Sequence, residues 1–466
     1  HTTGDILLQA GVGSGGTVSD AQYGYAQVGH GGIGTSGVKK GDIKVTSTDG
    51  SSIQLLAAGA NSFNQFRYAQ IGHGGSISGS GAISGTIVID AKKASLSLTG
   101  GANGSSNYAQ IGHGGSGATS SMSDDITLTL GGDVSLKGGG DASYAQIGHG
   151  GLNPNASELT GNIRLETTGN IDLLAGSSTA AGAPSFAMIG HGGATSYGKK
   201  EGSIHIVSTE GTSLNLIAGS GANRNDNFAM IGHGGMLAGG STSPVGGSTT
   251  GLIDIQALKS GLNVQAGASG ARNFAKIGHG GYRRDEGSIS GSIVLGLGGD
   301  VEIKSGGTTS YAQIGHGAVY HGVDQSDSTR SLVSLSGSID LHTTGKITMQ
   351  GGQGSESHAM IGHGGRHHFG NKGGVGESIK VEGASVEVLA NTGSSAFAQI
   401  GHGGAYRNGG NATATIEVKA TTGDVVVQGG GYDAYAMIGH GGLATVAGTY
   451  DGSVTVRAES GDVRLV

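Results

Sequence analysis

The chain has 466 residues, of which 100 are glycine and 3 are proline, with no cysteine, only 35 % apolar residues and a formal charge of −7. These figures exclude a disulfide framework, thiolate metal ligands and a basic nucleic-acid-binding stripe. There is no run of about 18 apolar residues, hence no membrane-spanning helix is expected, and no signal peptide opens the chain.

The elements repeat. The chain opens in mid-repeat with His1-Thr2-Thr3-Gly4-Asp5-Ile6, nearly copied as His342-Thr343-Thr344-Gly345-Lys346-Ile347. From there each repeat carries two short segments, A and B, in which apolar residues stand two apart. They run from Ile43, Val45 with Ile53, Leu55, through Ile163, Leu165 with Ile171, Leu173, to Val454, Val456 with Val463, Leu465. That spacing is the signature of strands. Turns such as Thr48-Asp49-Gly50 and Thr168-Gly169-Asn170 separate A from B; small residues that tolerate left-handed dihedrals suit such turns.

Segment C follows. It reads aromatic, Ala, then Gln, Met or Lys, then Ile or Val, then Gly-His-Gly, as in Tyr68-Ala69-Gln70-Ile71-Gly72-His73-Gly74. Its histidine occurs eleven times, at His30, His73, His113, His149, His191, His233, His279, His316, His363, His402 and His440. Five residues earlier stands a ring: Tyr25, Tyr68, Tyr108, Tyr144, Phe186, Phe228, Phe274, Tyr311, His358, Phe397 and Tyr435. Longer connections near 236–250, 318–336 and 366–377 read as surface insertions. Pro154, Pro184 and Pro244 fall between the strand segments, as expected where central strands need every amide donor.

Repeats of roughly 41 residues with three strand segments each predict an all-β fold. The architecture expected is a parallel β-solenoid, one continuous array over 1–466 and a segment of a longer chain. One coil per repeat gives a rod of about 50 Å, two coils about 100 Å; like segments fall on like segments in the first, which is preferred. Parallel crossovers favour the right hand.

Within segment C, Ala, Ile and His share one face; the ring, the Gln/Met/Lys position and the first Gly share the other. Lys276 lies on the ring face, and lysine is rarely buried. The histidine face is therefore expected inside and the ring face outside, covered in part by the long loops. Histidines stacked about 4.8 Å apart cannot all be charged, so neutral imidazoles are expected, each nitrogen with a partner. Both rows then serve as structural ladders that hold register. No catalytic residue, metal site or cofactor is nominated: there is no H-E-x-x-H, no carboxylate pair and no Ser-His-Asp set. The cluster His363, Arg366, His367, His368 reads as a solvated loop. A glycan- or metal-binding module using the aromatic or histidine row is the alternative.

Two phrases carry a resemblance: Thr168-Gly169-Asn170-Ile171-Asp172-Leu173-Leu174-Ala175-Gly176 and Thr421-Thr422-Gly423-Asp424-Val425-Val426-Val427. They resemble the stalk repeats of filamentous-haemagglutinin-like bacterial exoproteins, which are secreted, right-handed β-helical adhesins. The resemblance covers segments A and B; the family's repeats are usually nearer half this length, and the histidine motif departs from its pattern. It implies an extracellular stalk, fibre or filament segment at the cell surface. Head-to-tail or lateral self-association and a cell-surface receptor or glycan are the partners expected, with no nucleic acid.

Overall fold

The computed structural model describes all residues except His1, 12–22, 60–65, 103–104, 179–182, 220–224, 237–245, 283–286, 318–332, 406–408 and 446–447. The connections predicted at 236–250 and 318–336 lie mostly outside the described residues. Among those described there are strands and turns but no helix, so none is long and apolar enough to cross a membrane.

The molecule is a parallel β-solenoid with one coil per repeat. Segment B strands stack into a 12-stranded sheet, from Ile6–Gln9 to Val463–Leu465, and segment C strands into an 11-stranded sheet, from Ala26–Val28 to Tyr435–Ile438. Segment A strands stack likewise, from Ile43–Thr46 to Val454–Ala458. All pairings are parallel and like residue meets like residue: Ile163 faces Ile204, Ile204 faces Ile253 and Ile253 faces Ile293. This is the register the alternation requires, because a one-residue slip would turn every Ile and Leu outward.

Each coil encloses a thin core. Ile163 and Leu165 of segment A, Ile171 and Leu173 of B, and Ala187 and Ile189 of C are all buried together. Burying an Ile or Leu side chain contributes about 1.5–3 kcal/mol, and the flat stack lets each coil share its core with two neighbours.

The corners between A and B are tied by short polar side chains. Asn170 Oδ1 accepts the N–H groups of Thr212 and Ser213 in the next coil, at 2.8 and 3.1 Å. Asp5, Asp133, Asp300 and Asp424 take main-chain N–H groups of the following coil in the same way. The Thr-Gly-Asp/Asn phrases are thus corner caps, satisfying amides that leave the ladder.

Candidate functional site

The rows of segment C hold the concentration of polar side chains inside the rod. They begin with the first glycine of the motif. Gly190 has φ 152° and Gly232 φ 148°. A Cβ on Gly190 would lie 1.9 Å from the carbonyl oxygen of Gly232 in the next coil. Only glycine allows that backbone and that approach. The chain turns there and directs the following histidine toward the start of segment A.

The histidines form one ladder. Adjacent ring centroids lie between 4.6 Å (His363 and His402) and 5.1 Å (His402 and His440), with the planes nearly parallel. The backbone N–H of each histidine donates to Nδ1 of the next: 3.0 Å from His149 to His191, 2.9 Å from His191 to His233 and 3.0 Å from His233 to His279. Nδ1 therefore carries the lone pair, and Nε2 carries the proton. The Nε2–H groups of His73, His113, His191, His233, His279, His316 and His363 donate to the carbonyls of Gly41, Gly85, Gly161, Gly202, Gly251, Gly291 and Gly337. His149 and His440 use the carbonyls of Asp124 and Ala414. This row of carbonyls was not anticipated. Its signal was a glycine standing two residues before segment A, as in Gly41-Asp42-Ile43 and Gly85-Thr86-Ile87.

Burial holds these rings neutral. It lowers His149 to about 3 and His279 and His363 to about 4, with nearby positive charge adding less. His113, His191, His233, His316 and His402 are pushed well below the ordinary histidine range, again mainly by burial. A neutral ring whose lone pair accepts a main-chain amide has none left for an ion. Proton relay along the row is blocked as well, since the bonded ring nitrogens are engaged by backbone groups rather than by another ring. Among the described residues no group of three or more His, Cys, Asp or Glu could hold a metal.

The ring face is a correction to the sequence reading. Tyr68, Tyr108, Tyr144, Phe186, Phe228, Phe274, Tyr311 and Phe397 are fully buried. They stack with centroids from 4.6 Å (Tyr144 and Phe186) to 5.2 Å (Tyr311 and His358). Residues just after the motif cover them: Leu152, Ala194, Met236 and Tyr282 pack on this row. Tyr25, in the first coil, is 45 % exposed, and Tyr435 is half-buried. Lys276, the residue that argued for an exposed face, is itself buried, its ammonium donating to the carbonyl of Gly317. A buried cation is costly in general, but here it replaces an amide with the same task. Gln146 Nε2 reaches the carbonyls of Gly190 and Gly192 at 2.9 and 3.3 Å, and Gln313 those of Gly362 and Gly364 at 2.9 and 3.1 Å. The Gln/Lys row thus donates to the glycine carbonyls of the next coil.

Comparison of the chain with known protein families, with curated proteins and with solved structures gives no match. The reading of the site therefore stands on its geometry.

Three more lysines were missed. Lys39, Lys200 and Lys372 are buried in the strand residues that lead into segment A. Each ammonium donates to loop carbonyls four and two residues earlier, as Lys200 does to Ser196 and Gly198. Burial lowers Lys372 to about 7. The sequence offered no period to find them, because Ile83, Met122, Leu159 and Leu335 fill the same row in other coils. The His367, His368 loop is not simply solvated: His368 Nε2 lies 3.1 Å from the carbonyl of Val333, and Arg366 is buried and pairs with Glu356.

Proposed function

We propose that this chain is a mechanical element, a segment of an extended extracellular stalk, fibre or filament of the adhesin type. The observation that carries the reading is that the conspicuous side chains are spent inside the rod. In the interior coils histidine, glutamine and ring positions alike are buried and directed at the neighbouring coil, so none of these three rows is exposed there. Repetition of side chains along an axis serves register and stiffness; a catalytic site would instead place distinct residues on a few coils. Loops at the corners would be the parts presented to a receptor, or to a second copy in lateral or head-to-tail association.

The test is surface labelling of intact, unpermeabilised source cells with antibody to this segment, read by electron microscopy. Labelled rod-like projections are expected. Signal confined to the cell interior would overturn the reading.

A further inference from the structure

Two positions of segment C vary from coil to coil: the ring, and the Gln/Met/Lys residue two places later. They do not vary independently, for the second follows the ring of the next coil. Gln27, Gln70, Gln110 and Gln399 are followed there by Tyr68, Tyr108, Tyr144 and Tyr435. Met188, Met230 and Met360 are followed by Phe228, Phe274 and Phe397. Lys276 and Gln313 precede Tyr311 and His358, again polar before polar. Gln146, before Phe186, is the exception.

The side chains explain the matching. The Tyr68 hydroxyl donates to Gln27 Oε1 at 3.3 Å, and that of Tyr435 to Gln399 Oε1 at 3.4 Å. Gln399 shows which ring counts: its own coil carries Phe397, yet its oxygen meets Tyr435 of the next coil. The same amides turn Nε2 to glycine carbonyls of that coil, Gly72 and Gly74 for Gln27, Gly439 and Gly441 for Gln399. Gln70 and Gln110 Oε1, ahead of Tyr108 and Tyr144, are buried without a hydrogen bond, so no competing donor holds them. Met188 and Met230 instead pack in one apolar cluster with Phe228 and Phe274, and Met360 packs with Phe397. A thioether suits an aromatic ring and is a poor acceptor. A tyrosine hydroxyl buried against it would lose water and gain no partner.

We infer that the Gln/Met position is a specificity residue for coil stacking: glutamine selects a tyrosine ring on the coil placed over it, and methionine a phenylalanine ring. The inference holds whether or not the rod is an extracellular stalk. A coil set on the wrong neighbour, from this chain or from a second copy, strands a buried hydroxyl or amide oxygen.

The exception obeys the same chemistry. Gln146 Oε1 is buried without a partner, and Phe186 has no hydroxyl to offer it. Room for one exists. The hydroxyl of Tyr144 lies against the place a Cβ on Gly151 would take, and the ring tip of Phe186 stands 3.1 Å from the matching place at Gly193.

One substitution made in two coils tests this, read by amide hydrogen exchange in the intact chain. Phe186→Tyr gives Gln146 its donor and should slow exchange of Tyr144–Ile147 and Phe186–Ile189 by about fivefold. Phe228→Tyr sets a hydroxyl over Met188 and should speed exchange of Phe186–Ile189 and Phe228–Ile231 by about tenfold. Adding Met188→Gln to Phe228→Tyr should recover most of that loss. Should Phe228→Tyr alone not fold, the double variant is still expected to fold. Shifts of the same sign for the two Phe→Tyr changes, or a double variant no better protected than Phe228→Tyr, overturn the inference.

Discussion

His149 gives its backbone N–H to Nδ1 of His191, 3.0 Å away, while their rings stack 4.7 Å apart. One residue thus joins two coils twice, by an amide bond and by a ring contact. His191 also ends on the carbonyl of Gly161 at 2.7 Å. Replacing it by phenylalanine keeps the stack and removes both hydrogen bonds. The stranded amide and carbonyl should cost about 1–3 kcal/mol each. His191→Asn, which can keep an oxygen near the place of Nδ1, should cost roughly half as much on the same scale. Hydrogen exchange of the 144–151 and 186–193 peptides would report both losses. Equal protection in all three proteins would show that the ladder bonds contribute nothing.

Acid should weaken the rod. The unfolded histidines titrate near 6.5, whereas burial lowers His149 to about 3 and His279 and His363 to about 4 in the fold. Above pH 6.5 neither state is protonated and stability is complete. As the pH falls, the unfolded chain gains protons that the folded ladder refuses. Each such histidine then costs about 1.4 kcal/mol per pH unit, levelling off only below its folded value. Denaturant midpoints should therefore drop steeply between pH 6.5 and about 4, with the slope growing with the number of ladder histidines that unfold together. A flat profile across that window would contradict the neutral ladder.

Gly190 should not tolerate a methyl group. Its Cβ would fall 1.9 Å from the Gly232 carbonyl oxygen, on a backbone with φ 152°. Gly190→Ala should lose at least about 3 kcal/mol, from strain and a lost inter-coil contact. Gly34, with φ 67° and open space around its Cβ position, is the contrasting site. Gly34→Asn should be nearly neutral, within about 1 kcal/mol, because asparagine tolerates left-handed backbone. Thermal melts of the two variants compare them directly.

Lys276→Gln should stabilise. The amide can donate to the carbonyls that glutamines elsewhere in the row engage, without the cost of a buried charge. A gain of about 1–3 kcal/mol is expected near neutral pH. His279 and His363 should then titrate slightly higher, since burial is the main cause of their low values but the Lys276 charge contributes. A loss of stability would show that the ammonium is better accommodated than its burial suggests.

The fold was readable because segments A and B keep strict alternation in every repeat, so Ile163 and Leu165 announce the same strand as Ile204 and Ile206. One coil per repeat followed from matching like segments. Facing was harder. Segment C is buried on both sides, and a strand covered on two faces has no polar side to betray its orientation. Lys276 was read as a surface marker when it is a donor to a glycine carbonyl. The partner of the histidine row was invisible for a different reason: it is a main-chain oxygen, and main-chain groups have no letter in a sequence. Only the recurring glycine before segment A hinted at where that oxygen would be.

The variable repeat length has one consequence for the particle as a whole. From His113 to His149 the chain takes 36 residues, and from His316 to His363 it takes 47. Yet the ring spacings are 4.8 and 4.7 Å. Added residues leave the height untouched. The length of the rod is therefore quantised in whole coils, and loops can be rewritten at any corner without changing how far the rod reaches.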